Sequence, residues 1–123
     1  MPTFSKVPLS GGAGGNGIKV AATSGSGTTI HTTGISTAVM DEIWLYCVNS
    51  NASNSIRKLT VLYGGTTDPD NHIELSIQAE TGLVLVVPGL ILHGDGTTGR
   101  TISAIAATAN ELVIYGYVNR ILP

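Results

Sequence analysis

The 123 residues carry a formal net charge of −2; only 11% are Asp, Glu, Lys or Arg, against 42% apolar. A chain of this length fits one domain whose single core needs no metal or disulfide staple, and its hydrophobicity excludes intrinsic disorder. The six basic residues, Lys6, Lys19, Arg57, Lys58, Arg100 and Arg120, are scattered apart from one adjacent pair, so nucleic acid is excluded as a partner for want of a basic patch.

Other classes fall to the same reading. The lone Cys47 excludes an intrachain disulfide, and its place in the densest apolar run marks it as a buried, inert thiol. The N-terminus is polar and Gly-rich, unlike a signal peptide. No apolar run approaches the roughly 18 residues of a membrane helix, because the longest, residues 83–92, is broken by Pro88-Gly89. A cytosolic origin is therefore expected, with no membrane partner. So few charges leave a surface of Ser, Thr, Gly and Asn with apolar residues to spare, which favours cover by further copies of the chain or by another protein.

In chain order, residues 1–17 end in a cluster of glycines, Gly11, Gly12, Gly14, Gly15 and Gly17. This predicts a flexible N-terminal arm outside a β-sandwich domain of residues 18–123. Phe4, Val7 and Leu9 are the candidates for anchoring the arm on a neighbouring surface, and loss of residues 1–15 is expected to leave the sandwich folded. The glycines lack the preceding strand and the Gly-Lys-Ser/Thr ending of a phosphate loop. Residues 17–23 read as a first strand with Ile18, Val20 and Ala22 on one face, and residues 28–33 as a Thr-rich edge strand. Residues 40–65 read as a central antiparallel hairpin. Ile43, Leu45 and Cys47 alternate with Trp44, Tyr46 and Val48, an Asn/Ser turn follows, and Leu59, Val61 and Tyr63 resume the alternation. Ile73, Leu75 and Ile77 mark a half-buried strand. Residues 83–92 are apolar on both sides, and Pro88-Gly89 predicts a bend or a corner there. After a loop tip at residues 93–99, Ile102, Ala104 and Ala106 define one strand, and residues 112–121 the last. The sum is about eight antiparallel strands, an all-β sandwich or jelly roll.

The search for chemistry returns no catalytic, cofactor-binding or metal-binding residues, so no enzyme is expected. His31, His72 and His93 have no His or Cys at metal-ligand spacing and are expected to be solvent-exposed. Asp68, Asp70 and Asn71 carry calcium-type oxygens, but Pro69 interrupts them and the EF-hand acid is missing, so a self-satisfying Asx turn is expected. No Gly-x-Ser-x-Gly elbow occurs. Asp41 and Glu42 point to opposite faces of a strand, the wrong disposition for paired acid–base work. The aromatic residues Trp44, Tyr46, Tyr63, Tyr115 and Tyr117 lie within strands, as core or subunit contacts. Trp44 and Tyr46 join the partner-contact candidates, and a buried Trp44 needs an acceptor for its N–H.

Residues 40–121 resemble a β-sandwich module found in virion proteins of tailed bacteriophages. The resemblance rests on a strand ending in an Asn-rich turn (Ile43 to Ser50), a second apolar strand (Leu59 to Gly64), the His72-Ile73-Glu74-Leu75 segment, the Gly89-Leu90 step, and the ending Val113-Ile114-Tyr115-Gly116-Tyr117-Val118. It implies a structural protein, foremost a capsid decoration (cement) protein bound to the outside of the major capsid protein lattice. Homotrimers on the virion surface, assembled in the host cytoplasm, are the implied form. A tail, baseplate or fibre component is the alternative, and a carbohydrate-binding module using exposed aromatics is a further one.

Overall fold

Segments that alternate apolar and polar side chains between Gly, Asn and Thr can bury one face only when extended, and so become strands. The computed structural model describes residues 2–123 and has nine of them: β1 (Thr3–Pro8), β2 (Ile18–Lys19), β3 (Thr28–Thr32), β4 (Met40–Asn49), β5 (Arg57–Tyr63), β6 (His72–Ile77), β7 (Val84–Leu92), β8 (Thr101–Ala106) and β9 (Leu112–Leu122). They form two antiparallel sheets. One runs β1-β9-β4-β7, with β2 also paired to β9, and the other runs β3-β8-β5-β6. Ile43, Leu45 and Cys47 of β4 and Ile114 and Val118 of β9 share one buried cluster with Leu59 and Val61 of β5 and Ile102 and Ala104 of β8. The all-β sandwich expected from the sequence is the fold. The ninth strand comes from the N-terminal segment.

Residues 40–65 are not a hairpin. β4 pairs with β7 and β9, whereas β5 pairs with β6 and β8 in the opposite sheet. The Asn/Ser segment between them therefore crosses the roughly 10 Å that separates packed sheets. Asn49 holds this crossing together from a buried position. Its side-chain amide donates to the carbonyls of Ser55 (3.0 Å) and Ile77 (2.9 Å), and its Oδ1 accepts the Asn51 N–H at 3.1 Å. Alternation marks both strands correctly, but it carries no information on which strand lies beside which.

The expected flexible arm of residues 1–17 is largely fixed to the sandwich; its first residue, Met1, lies outside the described residues. β1 pairs with β9 without a register shift from Thr3↔Leu122 to Pro8↔Tyr117. The expected first strand shrinks to β2, because the chain then changes sheets: the Val20 N–H bonds to Leu112 and the Ala22 carbonyl accepts from Ala106. Pro88 and Gly89 sit inside one continuous strand, β7, whose pairing with β4 shifts register twice. Proline is tolerated there because β7 is an edge strand.

Candidate functional site

The first polar cluster lies inside the sandwich. β3 carries His31 and β4 carries Asp41, both 1% exposed. The Ser10 N–H donates to His31 Nδ1 at 3.1 Å, which assigns the ring proton to Nε2, and Nε2 donates to Asp41 Oδ2 at 2.8 Å. Arg120 of β9 donates from Nε to Asp41 Oδ1 (2.8 Å) and from Nη2 to Oδ2 (3.1 Å). Burial pushes the Asp41 carboxyl up, but the hydrogen bonds from Arg120 and His31 outweigh it and hold the group below the usual carboxylate range. Ser, His and Asp thus converge, though not as a nucleophilic triad. The serine meets the imidazole through its backbone N–H, and its Oγ accepts from the Thr32 N–H at 2.8 Å. A nucleophile needs its hydroxyl on the base and open to substrate. This cluster is a pin that fastens residues 9–11 to β3, β4 and β9. His31 therefore departs from the expected solvent-exposed imidazole, and His72 is also largely covered, its side chain 17% exposed.

The remaining polar features are local. Cys47 is buried as expected, and burial pushes its thiol up to about 12. In the loop after β5, Asn71 accepts the Thr67 N–H and donates to the Tyr63 carbonyl, the self-satisfying turn expected there. Among the described residues no group of three or more His, Cys, Asp or Glu stands together as a metal site. An open cleft of about 410 Å³ lies against β3 and β8, walled by Thr29, Thr101 and Ser103, with Asp95 and Arg100 at its rim. Asp95 there serves its own loop, accepting the N–H groups of Thr97 (2.9 Å) and Thr98 (2.7 Å). Arg100 Nε likewise donates to the His93 carbonyl at 3.0 Å.

The dominant surface feature is the outer face of the β1-β9-β4-β7 sheet. On β4 the odd-numbered residues from Asp41 to Asn49 are buried, so Glu42, Trp44, Tyr46 and Val48 face outward. Register places Tyr117 directly opposite Trp44 and Tyr115 opposite Tyr46, a block of four aromatic rings on two neighbouring strands. The Trp44 and Tyr117 rings are nearly parallel, at 13°, with centroids 6.3 Å apart, and Lys6 Nζ of β1 lies 5.0 Å from the Tyr117 centroid. Such cross-strand aromatic and cation–π pairs each contribute about 0.5–1 kcal/mol. Two glycines let rings lie against the backbone: a Cβ at Gly89 would come 2.8 Å from the Trp44 ring, and one at Gly17 equally close to Tyr115. Trp44 Nε1 finds its acceptor in Glu42 Oε1 (2.6 Å), which also accepts from Asn119 Nδ2 (3.0 Å). These two bonds, Trp44 first, hold the Glu42 carboxyl below the usual range. Around the block stand Phe4 on β1, 67% exposed, and Leu85 and Ile91 on β7, 47% and 45% exposed. The opposite sheet's outer side carries Thr60, Thr101 and Ser103 and an ion pair of Lys58 with Glu74 at 3.3 Å, alongside the apolar Leu62 and Ile105.

Of the five partner-contact candidates, the structure brings Phe4, Trp44 and Tyr46 onto this face. Val7 instead packs on the core and Leu9, 5% exposed, is part of it, because β1 turns one face inward. Lys6 and Leu85 also belong to the face and were not among the candidates, and Tyr115 and Tyr117, expected as core or subunit contacts, lie on it too. Aromatic spacing of two at Trp44/Tyr46 and Tyr115/Tyr117 is visible in the sequence and puts each pair on one side of a strand. Their juxtaposition depends on β4–β9 register. Comparison with family models, curated proteins and solved structures gives no match for this chain.

Proposed function

We propose that this chain is a structural component of a tailed-bacteriophage virion, a capsid decoration protein that binds the outer surface of the major capsid protein lattice and stabilises the head. The observation that carries the reading is the aromatic and aliphatic outer face of the five-stranded sheet, in a chain with so few charges. Contiguous apolar surface of this kind marks protein–protein contact. The resemblance of residues 40–121 to virion β-sandwich modules supports the major capsid protein as the partner. A protein that binds only the assembled lattice stabilises it by mass action, and many weak attachments repeated over a shell add up through avidity.

The test mixes purified protein with expanded, undecorated shells. Saturable co-sedimentation at a fixed ratio to shell subunits, with a raised shell melting temperature, is the expected result. Absence of binding would sink the proposal, and recovery of the protein with tails in fractionated virions would move it to a tail or baseplate role. The aromatic block also favours a second reading, a carbohydrate platform. Glycan binding that disappears in a folded Trp44→Ala protein would support that reading over the first.

A further inference from the structure

The cleft against β3 and β8 opens on the outer side of the four-stranded sheet. Its volume of about 410 Å³ is that of a small-molecule site, yet every residue lining it is Gly, Ser, Thr, Asp or Arg. Sites for apolar ligands are walled by hydrophobic and aromatic side chains, so this one fits a ligand that is polar over its whole surface. The floor is a cross-strand row. Ile102 and Ala104 turn into the core, which sends Ser103 of β8 to the outer side, with Thr29 of β3 as its register partner. Ser103 is only 7% exposed, and among the described residues its hydroxyl, like that of Thr29, has no hydrogen-bond partner. A nearly buried hydroxyl left unmatched is a cost that a ligand removes by bonding to it. Because a hydroxyl both donates and accepts, such a row matches the neighbouring hydroxyls of a sugar ring.

The rim adds charge. Arg100 uses Nε on the His93 carbonyl at 3.0 Å, and among the described residues it makes no ion pair. Both Nη groups are left, the end of a guanidinium that takes a carboxylate on two parallel bonds. Asp95 stands on the same rim, but its two oxygens are turned to its own loop, on the N–H groups of Thr97 and Thr98 and on the Thr98 hydroxyl. A cation beside an engaged acid accepts one negative charge and disfavours a second.

We propose that this cleft binds a saccharide carrying one carboxylate, a uronic acid, with Arg100 on the carboxylate and the Ser103 and Thr29 hydroxyls on those of the ring. The site lies across the sandwich from the aromatic block and is independent of the virion reading.

Titration of the full chain with glucuronate, followed in amide NMR spectra, tests it. Saturable shifts centred on Thr29, Arg100 and Ser103 are expected, with a Kd on the order of 1 mM for a ligand of this size. Glucose, which lacks the charge, and acetate, which lacks the ring, are each expected to bind at least about tenfold more weakly. Glucose 6-phosphate, with its second charge, is expected to bind more weakly than glucuronate as well. Ser103→Val fills the floor with a residue that suits a strand and is expected to weaken glucuronate binding at least about tenfold, with the circular dichroism spectrum preserved. Ser103→Ala, which only removes the hydroxyl, is expected to weaken it about fivefold. Arg100→Gln is expected to bring glucuronate down to the affinity of glucose, and Trp44→Ala to leave binding unchanged. Should Arg100→Gln disturb its loop, the two Ser103 variants carry the test. No saturable shift up to about 50 mM glucuronate, equal affinity for glucose or acetate, full affinity in Ser103→Val, or shifts mapped to the Trp44 face overturns the proposal. Glucuronate binding by a protein that ignores shells supports the cleft and removes the virion reading. Shell binding without glucuronate binding does the reverse.

Discussion

Tyr63 sits at the end of β5 with its ring against the core, and its hydroxyl is buried without a hydrogen-bond partner among the described residues. Burial pushes the phenol up to about 12. An unsatisfied buried donor costs about 1–3 kcal/mol, and removing it with its shape conserved recovers part of that cost. Tyr63→Phe is therefore expected to stabilise the protein by about 1 kcal/mol, raising Tm by about 4 °C in a domain of this size. A lower Tm in differential scanning calorimetry would mean that the hydroxyl is bonded after all. Asp41 works in the other direction. It is the common acceptor for His31 and Arg120, so Asp41→Asn leaves a guanidinium and a buried imidazole without their anion, at a cost of about 2–4 kcal/mol. Because its folded pKa lies below the ordinary 3.8, its ionisation favours the folded state above that value. The contribution is lost as pH falls through the lower folded pKa. Urea midpoints of wild type and Asp41→Asn are expected to differ most near pH 7 and to converge in acid; a gap that stays constant with pH would contradict this account.

At the scale of elements, β1 shows how a segment changes character once its neighbours are known. Its side chains are mostly exposed, so the backbone ladder to β9, Val7 against the core and Lys6 over the Tyr117 ring hold residues 3–8. Immediately after them Leu9 is buried, the Gly11 N–H bonds to the Ile30 carbonyl at 2.9 Å, and Ser10 is held by His31 and Thr32. Removal of residues 1–15 thus takes away a core side chain and the pin along with the strand, and is expected to destabilise the sandwich. Leu9→Ala isolates the core contribution and is expected to cost about 2–4 kcal/mol, read as a shift in the denaturant midpoint at unchanged slope. A cost below about 0.5 kcal/mol would return the segment to the loose arm that its glycines suggest. Glycine density marks where the chain turns sharply; it does not reveal that Leu9 and Ser10, just before it, are clamped.

At the scale of the whole molecule, the two outer faces differ in kind. One is aromatic and aliphatic, with Lys6, Lys19 and Glu42 as its charges, and the other carries Thr and Ser hydroxyls and the Lys58–Glu74 ion pair beside Leu62 and Ile105. That asymmetry is legible in part, since Trp44/Tyr46 and Tyr115/Tyr117 each occupy one side of their strands at spacing two. What the residues alone determined was local: which segments are extended, which side of each is apolar, and that Cys47 is buried. These follow from alternation and transfer energy, which act within a few residues. Only the tertiary structure decided that β4 joins β7 and β9 while β5 crosses to the other sheet, that His31 is buried against Asp41, and that four rings, Lys6 and Glu42 share one surface. Strand pairing joins residues as distant as Thr3 and Leu122, and its energy depends on register and on packing between sheets, which no local pattern encodes.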